Sequence, residues 1–260
     1  MELKVLGSGS SGNCYLLQGK EETLIIECGL PYKTILKGLD FNLSNVVGCL
    51  ISHEHKDHSK AVQDLVKNGI DVYSSKGTFE AIEVKGYRTN IIESEKAIKI
   101  GNFVILPFET EHDANEPLGF LIYQKDMGKL LFITDSYYCQ YRFENVDHIL
   151  IECNYSNKIL QEKELPKTLK NRIIKSHFEL ENVKEFLKAT DLKETKEIIL
   201  IHLSDGNSNA VQFKTDIERA TGKPTYIADK GLDLELEGIF NFKVKKKRRK
   251  SKFLKLHNGL

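Results

Sequence analysis

The segment Ser52-His53-Glu54-His55-Lys56-Asp57-His58 constrains this chain more than any other. It follows an apolar run, Val46 to Ile51, that predicts a buried strand. It precedes Ser59 to Val66, which predicts a helix with Ser59 near its N-cap. Four metal-capable side chains therefore crowd one strand-to-helix loop. Residues two apart in an extended segment point the same way, so His53 and His55 can grip one ion. Asp57 and His58 lie past the bend, where the chain can turn them toward a second. Imidazole with carboxylate suits Zn, Mn or Fe better than Ca or Mg. A lone histidine here would read as part of a solvated loop. Three histidines and an aspartate behind a buried strand do not.

A length of 260 residues is enough for one large domain with a substantial core, and 40% hydrophobic with 29% charged residues is the composition of an ordinary soluble chain. No apolar run is long enough to cross a bilayer, and the start, Met1 to Leu6, lacks the pattern of a signal peptide. The five cysteines form no CxxC pair and are odd in number, which points to a reduced, cytoplasmic protein with no membrane partner. Net charge is +1, yet residues 243–260 hold nine Lys or Arg and no acid, leaving 29 basic against 37 acidic residues elsewhere. The chain divides into a domain over 1–242 and a basic tail over 243–260, and the tail is the natural contact for a polyanion.

Further candidate ligands stand directly after apolar runs. His112 follows the hairpin 98–108, Asp135 follows Lys129 to Ile133, and His202 ends Ile198 to Ile201. Taken singly, His112 reads equally as a surface residue and Asp135 as a helix cap. The turn Gly7-Ser8-Gly9-Ser10-Ser11-Gly12-Asn13 reads either as a hairpin connection or as a phosphate cradle. It is the shared position after buried strands that carries weight. Together the groups can hold two ions, His53, His55 and His112 on one and Asp57, His58 and His202 on the other, with Asp135 bridging. A water between two such cations loses a proton readily and becomes a nucleophile.

The run His-Glu-His-Lys-Asp-His over 53–58 resembles the HxHxDH motif of the metallo-β-lactamase superfamily, and His112, Asp135 and His202 fall where that family places its remaining ligands. The resemblance implies an α/β (α+β) fold, an αββα sandwich of two mixed β-sheets flanked by helices. Leu6 to Cys14, Glu27 to Leu30, Ser176 to Asn182 and Ile201 to Ser204 are similar to signatures of the WalJ-type (YycJ/VicX) subgroup, regarded as DNA exonucleases. The chain departs from that subgroup in carrying Glu27 for the usual Asp, and Ser176-His177-Phe178-Glu179-Leu180 for a Gly-His-Leu-Ser-Asn run. The resemblance implies a phosphodiesterase, a DNA or RNA exonuclease, with two Zn or Mn ions (Fe being a third choice) and nucleic acid as substrate. It places Asp57 and His177 in the catalytic set, and Ser10, Asn13, His177 and Ser204 at the substrate. A hydrolase of cyclic nucleotides, lactones or thioesters, or a non-catalytic metal-stabilised nucleic-acid-binding protein, are the alternatives. With no Trp and 9% aromatics, the sequence displays no basic patch interleaved with stacking rings.

Overall fold

In the computed structural model, residues 1–84 and 86–238 are described. The expected boundary at 242 and the basic tail over 243–260 lie outside the described residues.

The first half of the chain runs β1 (Glu2–Gly7), β2 (Cys14–Gln18), β3 (Thr23–Ile26), α1 (Tyr32–Gly38), β4 (Val46–Leu50), α2 (Lys56–Ser59), α3 (Val62–Lys67), β5 (Val72–Ser74), α4 (Lys76–Ile82) and β6 (Thr89–Ile91). The second half runs β7 (Ile98–Ile100), β8 (Phe103–Glu109), β9 (Leu118–Gln124), β10 (Gly128–Ile133), β11 (His148–Glu152), α5 (Asn157–Glu162), α6 (Lys167–Ser176), α7 (Leu180–Ala189), β12 (Glu197–Ile201), α8 (Ala210–Thr221), β13 (Thr225–Ile227) and β14 (Asp233–Glu235). Two seven-stranded sheets result, ordered β14-β1-β2-β3-β4-β5-β6 and β13-β12-β11-β10-β9-β8-β7. Both are mixed, with antiparallel pairing up to β3 and β10 and parallel pairing beyond.

Side-chain parity builds the layers. Successive strand residues face opposite sides. Leu24 and Ile26 of β3 thus meet Leu130 and Phe132 of β10 between the sheets. Ile25 of β3 turns outward onto Ile35 of α1 and Val62 and Leu65 of α3. Leu131 and Ile133 of β10 turn outward toward Val183, Phe186 and Leu187 of α7 and Phe213 and Ile217 of α8. Strands buried on both faces explain the unbroken apolar runs of the sequence. The layers are helix, sheet, sheet, helix, the order the resemblance implied.

Two local expectations change. The helix after the histidine loop begins at Lys56, so Asp57 and His58 lie on its first turn. Ser59 is not an N-cap: it ends α2 and donates its hydroxyl proton to the carbonyls of Glu54 and His55. The following helix, α3, starts without a side-chain cap.

Candidate metal centre

The site gathers where strands end. Glu27 follows β3, His53 follows β4, His112 follows β8, Asp135 follows β10, Glu152 ends β11 and His202 follows β12. The carboxyl ends of parallel strands are where open α/β sheets bind ligands. Three of these residues leave their strands in left-handed backbone: Glu27 at φ 63°, Asp135 at φ 41° and His202 at φ 52°. Non-glycine residues adopt that conformation at a cost of about 1–3 kcal/mol and persist where the surroundings hold them.

The fourth side comes from α2, clamped by backbone bonds. Asn13 N–H donates to the Asp57 carbonyl at 2.8 Å, Cys28 N–H to the His58 carbonyl at 2.8 Å, and Gly29 N–H to the Asn13 carbonyl at 2.9 Å. Gly29 lies so close that a Cβ there would stand 1.7 Å from the Asp57 carbonyl oxygen. The Gly/Ser turn is therefore a clamp on the metal loop. Asn13 was expected to meet substrate, but it is fully buried, with its side chain bonded to Gly9 and to the Asp57 carbonyl. Ser10 sits exposed on the turn. Ser204 lines a cavity with Ser8 and Ser208 beside His202, and its hydroxyl accepts from Asn207.

Of three clusters of candidate donors that converge here, two are built wholly from the expected ligands. Ligand atoms of His53, His55, His112 and Asp135 lie within 4.8 Å of one another, as do those of Asp57, His58, Asp135 and His202. Asp135 belongs to both. In the first set, His55 Nδ1 is 3.1 Å from His53 Nε2 and 3.1 Å from His112 Nε2, and Asp135 Oδ2 is 3.6 Å from His112 Nε2. A tetrahedron built on Zn–N bonds of about 2.0–2.1 Å has edges of about 3.3 Å, so these spacings are those of ligands around one ion. In the second set, Asp57 Oδ2 is 3.4 Å from His58 Nε2 and 3.3 Å from His202 Nε2, with Asp135 Oδ2 3.4 Å from His58 Nε2.

The outer nitrogens are fixed. His112 Nδ1–H donates to the Ser176 carbonyl at 2.7 Å, and His53 Nδ1 bonds the Ser52 hydroxyl at 2.8 Å, so each turns Nε2 inward. His58 Nδ1 lies 3.3 Å from Glu27 Oε2, while Glu27 Oε1 accepts from Ser52 N–H. Here the departure Glu27 keeps a carboxylate behind His58.

Charge follows the same division. Burial, aided by neighbouring imidazoles, lowers the pKa of His53, and burial lowers that of His112, leaving neutral rings with free lone pairs. Burial also opposes charge on His58 and His202, but Asp135 and Asp57 outweigh it; His58 is raised well above its usual value and His202 to about 10. Asp135 is lowered despite its burial, chiefly by His202 and His58. The second set gathers two carboxylates and two imidazoles within ligand distance of one another, donors that suit a divalent transition ion. The donor set fits such a metal.

Beside the centre, His177 caps α6. Its Nδ1–H donates to Glu152 Oε1 at 2.6 Å, its ring stacks on His202 at 5.5 Å, and its side chain stays 21% exposed. Burial lowers its pKa, but the Glu152 carboxylate more than reverses this, and the net shift is upward. Glu152 itself is fully buried and also accepts from Ser136 and Phe178 N–H. Glu152 was not among the residues expected from the sequence; its signal there is a carboxylate closing the otherwise apolar run His148–Glu152.

The chain matches the Beta-lactamase superfamily domain over residues 36–203, and the Anti-Pycsar protein Apyc1 family over residues 1–69. It is 33% identical over 221 residues to the exodeoxyribonuclease WalJ of Streptococcus pneumoniae, covering 78% of this chain and 82% of that one. It is 31% identical over 225 residues to the exodeoxyribonuclease YycJ of Bacillus anthracis, covering 80% and 84%. Among solved structures, the metallo-β-lactamase fold protein YhfI of Bacillus subtilis superposes with TM-score 0.70 at 18% identity, covering 90% of this chain and 99% of that one. The short form of human tRNase Z superposes at 0.62 with 16% identity, covering 91% and 99%. The chain belongs to the metallo-β-lactamase superfamily and, within it, to the WalJ-type hydrolases.

Proposed function

We propose that this protein is an exodeoxyribonuclease that hydrolyses DNA phosphodiesters with two divalent transition ions, Zn or Mn, which His53, His55 and His112 and Asp57, His58 and His202 would hold, with Asp135 common to both donor sets. The convergence of seven donors into two sets with one common carboxylate carries the reading. The names of the WalJ and YycJ relatives support DNA as substrate. When bound, two such ions supply a Lewis acid for a phosphoryl oxygen and activate a water for attack. The chain's own residues do the rest. Ser52, Ser176 and Glu27 hold the ligand imidazoles in orientation. Asp57, 26% exposed at its side chain, lines the open side of the second set. His177, backed by Glu152, holds a proton at Nε2 for the leaving oxygen. The five thiols, all free and buried, support a cytoplasmic setting. Among the described residues no helix is long and apolar enough to cross a membrane.

End-labelled linear DNA and closed circular single-stranded DNA, each incubated with Mn or with EDTA, test the reading. Degradation of the linear strand from its end, with the circle spared and EDTA blocking the reaction, is the expected result. Equal cleavage of the circle would make the enzyme an endonuclease. Hydrolysis in EDTA would remove the metal centre from the mechanism.

A further inference from the structure

A groove of about 750 Å³ opens beside the metal centre, between α6 and the loops that follow β8 and β10. Such a volume is within the roughly 300–1,000 Å³ of ligand sites. His112 lines it, and the Ser176 carbonyl that accepts from His112 belongs to the last turn of α6, so a hydrogen bond ties the groove to the centre.

The two walls differ in chemistry. The α6 wall carries Arg172 and Lys175, three residues apart and so on one helical face. Both are exposed, and neither enters an ion pair among the described residues. The helix from Lys167 to Ser176 contains four basic residues and no acid, and only Ser176 is buried. Packing does not explain its composition. The opposite wall carries Tyr137, with Glu111 and Asp113. Tyr137 is 40% exposed and held in place: its N–H donates to the Glu111 carbonyl at 3.0 Å, and its hydroxyl lies 3.5 Å from a Glu111 carboxylate oxygen.

A ligand that satisfies both walls is anionic along one edge and flat and aromatic along the other. We infer that this groove seats the single-stranded end of the DNA substrate, with phosphates on Arg172 and Lys175 and a base stacked on Tyr137. The carboxylates of Glu111 and Asp113 repel phosphate and fix that orientation. A duplex hides its base faces from an aromatic side chain, whereas a single strand offers them. This inference rests on the exodeoxyribonuclease reading and adds the residues that receive the strand. They are invisible in the sequence as a patch, because Tyr137 and Lys175 meet only in the fold.

The test is fluorescence anisotropy with a labelled, nuclease-resistant phosphorothioate oligonucleotide, titrated onto metal-loaded protein at several salt concentrations. Each phosphate contact to a single strand contributes about −0.7 to the slope of log K against log salt, so Arg172→Ala/Lys175→Ala should flatten the slope by about 1.4. Tyr137→Ala should weaken binding about tenfold or more, with Tyr137→Phe restoring it. Blunt duplex of the same sequence should bind more weakly and lose nothing with Tyr137→Ala. Wild-type affinity and slope in both alanine variants, or equal dependence of the duplex on Tyr137, would overturn the inference while leaving the enzyme a nuclease. A wild-type protein that hydrolyses bis(p-nitrophenyl) phosphate but neither binds nor degrades single-stranded DNA would instead remove the exodeoxyribonuclease reading, and the groove assignment with it.

Discussion

His177 and Glu152 show how one buried carboxylate serves two rings. Glu152 Oε1 lies 2.6 Å from His177 Nδ1 and 3.1 Å from His202 Nδ1. It orients a metal-facing histidine and keeps its neighbour protonated. His177→Ala should retain metal and lose about 10²–10⁴-fold in turnover of DNA, because general acid help is of that size. The pH dependence has a definite sign. His177 has a raised pKa, so it is an acid ready to donate below that value, and activity should fall as pH rises through it. In Glu152→Gln the main upward influence is gone, and the fall should move to lower pH. A pH–rate profile for each variant checks both statements; an alkaline limb that does not move would free His177 from Glu152. The resemblance over Ser176 to Asn182 made His177 visible, whereas Glu152 merged into the apolar strand His148–Glu152. A carboxylate at a strand end is legible only when its partners are known, and those come from α6 and β12.

Helix α2 is four residues long and carries two donors of the second set. So short a helix does not hold itself in place, and its position comes from the segments on which it sits. Asn13 and Cys28 supply that seat, their N–H groups donating to the carbonyls of Asp57 and His58, and Gly29 ties the two segments together through the Asn13 carbonyl. Gly29→Ala would thrust a Cβ to 1.7 Å from the Asp57 carbonyl oxygen, a clash with backbone that side-chain motion cannot relieve. Overpacking typically costs about 1–3 kcal/mol, and this variant should lie at or above the top of that range. Thermal unfolding should show the loss, and metal titration should show weakened uptake as Asp57 and His58 shift. A Gly29→Ala protein of wild-type Tm and metal affinity would contradict the seating argument. The ligands themselves were legible, since His53 to His58 stand out as chemistry on a loop. The start of α2 was not, because His-Glu-His-Lys-Asp-His has no apolar period to announce a helix. The Gly/Ser turn likewise reads as a connection or a cradle until Asn13 is seen buried beneath α2.

Across the molecule the two sheets repeat one plan: three antiparallel pairings, then three parallel ones, with β14 returning from the far end of the chain to complete the first. The strand at the change of sense is β3 in one sheet and β10 in the other. Each is followed by a buried carboxylate in left-handed backbone, Glu27 at φ 63° and Asp135 at φ 41°. The two equivalent positions have divided the work: Asp135 faces both donor sets, and Glu27 backs His58. The sandwich was implied by the resemblance of His53 to His58 to the superfamily motif, and its strands were readable because burial on both faces leaves unbroken apolar runs, as in Leu130 to Ile133 and Ile198 to Ile201. The three-residue β6 was not, since Thr89-Asn90-Ile91 carries no such run. The groove between Tyr137 and α6 also depends wholly on tertiary placement. Asp135 ties the plan together, and elemental analysis of metal-loaded protein tests its place most directly. The wild type should hold about two transition ions per chain, as a two-metal site requires. Asp135→Ala, losing the carboxylate common to both sets, should lose most of that metal while keeping its fold by circular dichroism. A wild type that loads one ion or none, or a folded Asp135→Ala protein that still holds two, would contradict the shared centre.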